Sequence, residues 1–83
     1  MFFIYILYSK SRGRFYIGYT QDIKERINRH NMGRERHTKS GAPWKLIHSE
    51  SFETRSAAMK QENKIKKRGA KRYLLGIGIQ VEP

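Results

Sequence analysis

The sequence predicts a small domain that mixes strands and helices. Three observations carry that prediction. The chain begins with two short apolar, aromatic-rich runs joined by a polar turn, continues to an alternating run at residues 44–52, and contains two capped segments of helical periodicity. Its 83 residues suffice for one domain and are too few for two. We place the domain at residues 1–75 and read 76–83 as a short flexible tail, loosened by Gly76 and Gly78.

The first run, Phe2 to Tyr8, is almost wholly apolar and rich in β-branched and aromatic residues, as in a strand covered on both faces. Arg14 to Thr20 is its partner, and Ser9-Lys10-Ser11-Arg12-Gly13 supplies the turn of a β-hairpin. The hairpin holds four of the five tyrosines, and a phenol suits a core only when its hydroxyl finds a partner. Two registers compete. Pairing Tyr8 with Gly13 sets Tyr5 opposite Tyr16 on one face, whereas pairing Tyr8 with Arg14 sets Tyr5 opposite Ile17 and parts the phenols. The first register is the expectation adopted.

From Asp22 the spacing turns helical. Asp22 with Glu25 forms a variant capping box, and Gly33 is the natural stop. Ile23 and Ile27 share a face that Arg26 and His30 flank, directing both toward the sheet or its rim. The competing account is that these two side chains snorkel at the edge of the buried stripe. Residues 34–43 are polar and basic and end in Gly-Ala-Pro, so no regular element is expected there. Arg34, Arg36, His37, Thr38 and Lys39 offer donors to phosphate oxygens, with a solvated connection the favoured account of any single one.

Trp44 to Phe52 alternates apolar with polar and slips near Ile47, predicting a third strand with a bulge at that point. Trp44 is expected in the core. Thr54 or Ser56 then caps a helix that ends at Gly69. Ala58, Glu62, Ile65 and Gly69 share one stripe with Met59 beside it, so Glu62 is a lone carboxylate on the inward face. Lys60, Lys64, Lys66, Lys67 and Arg68 surround it. An unpaired buried carboxylate is very costly. Spacing alone favours an ion pair with Lys66 or Arg26 over a divalent cation. A short third helix is expected from Ala70 to Leu75.

Composition bounds the partners. Eighteen Lys and Arg stand against seven Asp and Glu, a formal charge of +11, which attracts polyanions and points to nucleic acid. A generic basic surface or a ribosome-associated protein would share that charge. With no cysteine, disulfides and thiolate metal sites are excluded and a reducing compartment fits. No run approaches the length of a membrane span, and no small-residue cleavage pattern follows the N-terminal run, so a cytoplasmic protein is expected. The sequence contains no internal repeat, no Gly-rich phosphate loop and no Ser/His/Asp constellation.

Taken in order, Ile4-Tyr5-Ile6-Leu7, Phe15-Tyr16-Ile17-Gly18, Asp22 to Arg26 and His30-Asn31 resemble the GIY-YIG nucleases. Gly41 to Ile47 and Ala57 to Lys66 look like the family's small standalone branch. That branch is similar to the nuclease domain of the excision-repair subunit UvrC and to structure-specific nucleases of the Slx type. The likeness runs from about Phe2 to Lys71, and five weak motifs at family spacing make a specific signal. It implies a small α+β domain with a central three-stranded antiparallel sheet flanked by helices. It also implies phosphodiester hydrolysis with one divalent cation, Mg²⁺ or Mn²⁺. By position, Tyr5, Tyr16, Arg26 and His30 match the catalytic residues, and Glu62 matches the metal-binding glutamate. On this resemblance a metal at Glu62 outweighs the ion pair. Tyr5 is the suggested proton acceptor, with Tyr16 and His30 positioning water or assisting transfer, though the residues do not fix which is the base.

Two departures stand out. Phe3 replaces the first motif's glycine, and the asparagine that larger members carry after the metal-binding helix has no counterpart. The resemblance leads us to expect a DNA endonuclease of DNA repair, structure-specific or directed by a protein partner. The alternative is a non-catalytic DNA- or RNA-binding module. The basic side chains expected on nucleic acid are Arg34, Arg36, Lys39, Lys60, Lys64, Lys66, Lys67 and Arg68.

Overall fold

A computed structural model describes residues 1–81. Strands β1 (Phe2–Ser9), β2 (Arg14–Thr20) and β3 (Lys45–Phe52) form an antiparallel sheet in the order β2-β1-β3. Helices α1 (Ile23–Asn31), α2 (Arg55–Arg68) and α3 (Ala70–Gly76) complete the fold. This is the expected three-stranded sheet flanked by helices. Among the described residues no helix is long and apolar enough to cross a membrane.

The central strand β1 explains its own composition. Ile4 and Ile6 point to one face and pack with Ile17, Ala58, Ile65, Ala70 and Leu74, the side covered by α2 and α3. Tyr5 and Leu7 point to the other and pack with Trp44, Tyr16 and Ile27, under α1 and the following loop. A strand buried on both faces has no use for polar alternation.

The hairpin register departs from the one expected. Ser9 faces Arg14, so that Tyr5 lies opposite Gly18 and Leu7 opposite Tyr16. Gly13 takes φ +63° and its N–H closes onto the Ser9 carbonyl at 2.8 Å, so it serves the turn and is unavailable to the strand. The slip is two residues. Because side chains alternate with a period of two, Tyr5 and Tyr16 still share a face, as neighbours on the diagonal.

The β1–β3 pairing shifts between Ile6 and Leu7, which face His48 and Leu46, so Ile47 is the bulged residue expected from the broken alternation. Asp22 caps α1 by accepting from Glu25 N–H at 3.1 Å, but the capping box is not reciprocal. Thr20 Oγ1 accepts the Asp22 N–H instead, at 3.1 Å. Thr54 caps α2 and Gly69 ends it, and α3 follows directly. Met59, expected beside the buried stripe, is 40% exposed.

The loop expected to lack structure holds a single 3₁₀ turn at Lys39–Gly41. Trp44 organises it: the buried indole Nε1–H donates to the Thr38 carbonyl at 2.7 Å. Asn31, the last residue of α1, also accepts from Trp44 N–H and donates to the Trp44 carbonyl. Ile79 and Val81 pack against the α2–α3 side of the core, and positions 82–83 of the expected tail lie outside the described residues.

Candidate active site

A cleft of about 390 Å³ opens where the edge of the hairpin meets α1 and α2. Tyr5 and Tyr16 reach it from one face of the sheet, Phe2 and Tyr19 from the other, and Arg26, Arg55 and Glu62 from the two helices. Four sequence-predicted residues, Tyr5, Tyr16, Arg26 and Glu62, thus meet in one hollow although they come from four different elements.

Gly18 makes the floor. A Cβ there would lie 2.6 Å from Tyr5 Oη, so only a glycine opposite Tyr5 lets the phenol lie across β2. The Tyr5 and Tyr16 rings sit 6.2 Å apart, within aromatic packing range. Burial pushes the Tyr5 phenol well above its ordinary value and Tyr16 adds to the shift, while the Arg26 guanidinium opposes it. Tyr5 therefore holds its proton at neutral pH.

His30 does not line the cleft. It is buried behind Tyr5, with Nε2 at 3.2 Å from Tyr5 Oη and its ring 4.8 Å from that of Tyr16. Its Nδ1 lies 2.6 Å from Oγ1 of Thr38, which is itself buried. The Thr38 hydroxyl also lies 3.4 Å from the Glu35 carbonyl, and the tautomer in which His30 Nδ1–H donates to Thr38 leaves that hydroxyl's single proton for Glu35. Nε2 is then an acceptor, and Tyr5 donates to it. Burial lowers the His30 pKa, with Arg26 and Arg29 adding to the shift and Glu35 resisting it, so the imidazole is neutral at pH 7.

Arg26 lines the cleft with its Nε shut away from solvent and, among the described residues, without a hydrogen-bond partner, since Glu25 Oε2 is 4.0 Å away. Glu62, with 14% of its side chain exposed, pairs with Lys66 Nζ at 3.4 Å, the ion pair its spacing suggests.

Sequence reasoning missed Arg55, and it read Thr38 as a donor to phosphate where the structure sets it on His30. Arg55 lines the cleft with its guanidinium 5.7 Å above the Phe2 ring. It stands seven residues before Glu62, on the same helical stripe, and that spacing was the signal available. The polarity of the loop marked Thr38 as a phosphate donor but carried no signal that it would fold back onto His30.

Of the basic side chains expected on nucleic acid, Lys66 lies beside the cleft through its pair with Glu62. Arg34, Arg36 and Lys39 are exposed on the loop after α1 and do not line the cleft. Lys60, Lys64, Lys67 and Arg68 line other hollows.

Comparison with known proteins gives one consistent result. The GIY-YIG catalytic domain family matches residues 1–74. The chain is 43% identical over 65 residues to UPF0213 protein SSP2268 of Staphylococcus saprophyticus, a match covering 77% of this chain and 78% of that protein. It is 42% identical over 57 residues to UPF0213 protein VNG_2274C of Halobacterium salinarum, covering 68% and 74% respectively. Among solved structures it resembles the solution structure of UPF0213 protein BH0048 from Bacillus halodurans. There the TM-score is 0.57 and the identity 30%, over 94% of this chain and 86% of that one.

Proposed function

Because the chain belongs to the GIY-YIG catalytic domain family, we propose that it is a metal-dependent endonuclease that hydrolyses phosphodiester bonds in DNA. The observation that carries this reading is the cleft itself, where two tyrosines, two arginines and, among the described residues, a single carboxylate converge.

The donor set fits a hard divalent ion, Mg²⁺ or Mn²⁺, that keeps most of its waters. Among the described residues Glu62 is the one carboxylate in the cleft, and no cluster of three His, Cys, Asp or Glu side chains able to cage a metal occurs. Glu62 would hold the ion, with Lys66 as the competitor for its carboxylate. Once bound, such an ion supplies Lewis-acid polarisation of a phosphate oxygen.

The chain's own residues do the rest. Arg26, whose side chain is partly exposed at the cleft, donates from its guanidinium to a non-bridging oxygen, where a charge-assisted hydrogen bond offsets charge developing in the transition state. Arg55 grips a neighbouring phosphate. Tyr16 orients the attacking water. Tyr5 acts as a neutral phenol: its proton points at His30 Nε2, so an oxygen lone pair is left for the water. As the water oxygen attacks phosphorus, its proton passes to Tyr5 Oη and the phenol proton passes to His30 Nε2, while the P–O bond to the leaving sugar oxygen breaks and that oxygen takes a proton from bulk water. His30 becomes imidazolium, and Tyr5 need never become a phenolate. This relay accommodates a phenol whose surroundings disfavour ionisation.

Cutting on this reading is directed by DNA structure, because cationic side chains read phosphate and shape and carry little base information. The Glu62–Lys66 ion pair favours a second reading, a module that binds DNA or RNA without cutting. Divalent-dependent cleavage of labelled single-stranded, duplex, flap and branched DNA at low salt separates the two, with Glu62→Ala and Tyr16→Phe beside wild type. The nuclease reading requires cleavage that needs Mg²⁺ or Mn²⁺ and disappears in both variants. Equal traces of cutting in all three proteins, with binding retained, would establish the binding module.

A further inference from the structure

Helix α2 has two working sides. Glu62 and Arg55 line the cleft, while Ala58 and Ile65 are buried in the core. At 100° per residue, Lys60, Lys64 and Lys67 lie about 140–160° around the helix from Glu62, on the side facing away from it. All three are exposed, and neither they nor Arg68 makes a salt bridge among the described residues. They rim two adjoining hollows of about 550 and 510 Å³ that share no residue with the cleft.

The ground beneath these cations is held firm. Gln61 Nε2 donates to Glu50 Oε1 at 3.1 Å and to Tyr73 Oη at 3.0 Å. His48 Nε2 lies 2.7 Å from Glu50 Oε2, onto which the Tyr73 hydroxyl also donates. The network ties α2, α3 and β3 together and consumes Glu50, the carboxylate that could otherwise neutralise the lysines. Tyr73, half-buried at the edge of one hollow, has its hydroxyl engaged by this network, and the exposed rim above it is a row of point charges suited to phosphates.

We propose that this side of α2 is a second nucleic-acid surface, which takes the phosphate backbone of a duplex segment while the cleft takes a single strand. The three lysines span about 10 Å along the helix, room for roughly three successive phosphates at about 3.4 Å per residue of one strand. A strand seated on Arg26 and Arg55 does not reach them, because the body of α2 stands between. A substrate presenting both a duplex and a single strand therefore engages both sides. The inference extends the nuclease reading but is tested by binding alone.

The test uses the whole chain in EDTA, with fluorescence anisotropy on a labelled single strand, a duplex, and a duplex bearing a single-stranded overhang. Wild type is compared with Lys60→Ala/Lys64→Ala/Lys67→Ala and with Arg26→Ala/Arg55→Ala. The triple variant should lose roughly tenfold or more in affinity for the duplex, with the slope of log K against log salt reduced by about 2.7, and should keep its single-strand affinity. The cleft variant should show the reverse, and the overhang substrate should respond to both. Equal losses on single strand and duplex in the triple variant would mean one continuous site and overturn the proposal. No loss on either would mean a merely solvated face and overturn it too. Absence of cleavage in the metal-dependent assay, with this binding pattern intact, would remove the nuclease reading and leave the second surface standing.

Discussion

Replacing Thr38 by valine removes one oxygen and almost no volume, so its effect isolates a hydrogen bond. His30 Nδ1–H, buried and bonded to Thr38 Oγ1 at 2.6 Å, is left without an acceptor. Leaving a buried donor unmade costs about 1–3 kcal/mol. In a domain of 83 residues each kcal/mol lowers the melting temperature by about 4–8 °C. The second effect is chemical. With its Nδ1 partner gone, His30 gains by moving the proton to Nε2 and donating to Tyr5, which reverses the Tyr5 hydrogen bond and closes the relay. Nitrogen-15 NMR of the imidazole ring reads this directly: protonated Nδ1 in wild type, protonated Nε2 in the variant. Cleavage should then fall on the order of 10²-fold with DNA affinity retained, the usual scale for losing general acid–base help. Thr38→Ser should restore both tautomer and rate. An unchanged melting temperature with Nδ1 still protonated in the valine variant would refute the reasoning, because Thr38 would then not be ordering His30.

Gly18→Ala should be more damaging than most glycine-to-alanine changes, since the new Cβ meets Tyr5 Oη at 2.6 Å. We expect a loss of about 1–3 kcal/mol in denaturant unfolding, from overpacking, together with lost cleavage. Arg55→Ala should weaken DNA binding several-fold and leave kcat close to wild type, because Arg55 grips substrate away from the Tyr5–His30 pair. Acidification should destabilise the fold through His30. Its folded pKa is lowered chiefly by burial, so below about pH 6.5 the unfolded chain takes up a proton that the folded chain refuses. Stability from this group is complete above about pH 6.5 and falls as pH drops toward the folded pKa, at no more than about 1.4 kcal/mol per pH unit. Denaturant titrations from pH 8 to pH 5 should show that slope, and His30→Asn should flatten it.

Much of this was legible in the residues because local chemistry specified it. Gly33 and Gly69 at helix ends, Asp22 and Thr54 as caps, and the slipped alternation at Ile47 each have short-range causes, and each element stands where those signals put it. What sequence pattern could not resolve was long-range. The hairpin register turned on whether Gly13 served the strand or the turn, a choice made by backbone conformation. Thr38 gained its place because Trp44 folds the loop back over α1. The run of cations on α2 looked like one basic surface around Glu62, whereas a helix sends neighbours in sequence to different sides, and only Lys66 stayed beside the cleft.

Tyr5 sits between Ile4 and Ile6, all three fully buried, on the one strand that pairs with both others. Reactive side chains are more commonly carried on loops, which can adjust or fray while the scaffold stays intact. Here such independence is absent. Moving Tyr5 by an ångström means moving the strand from which both halves of the core are built. Heating should therefore find no temperature at which the fold persists and the site has come apart. The Tyr5 amide should exchange its hydrogen only as fast as the whole domain unfolds.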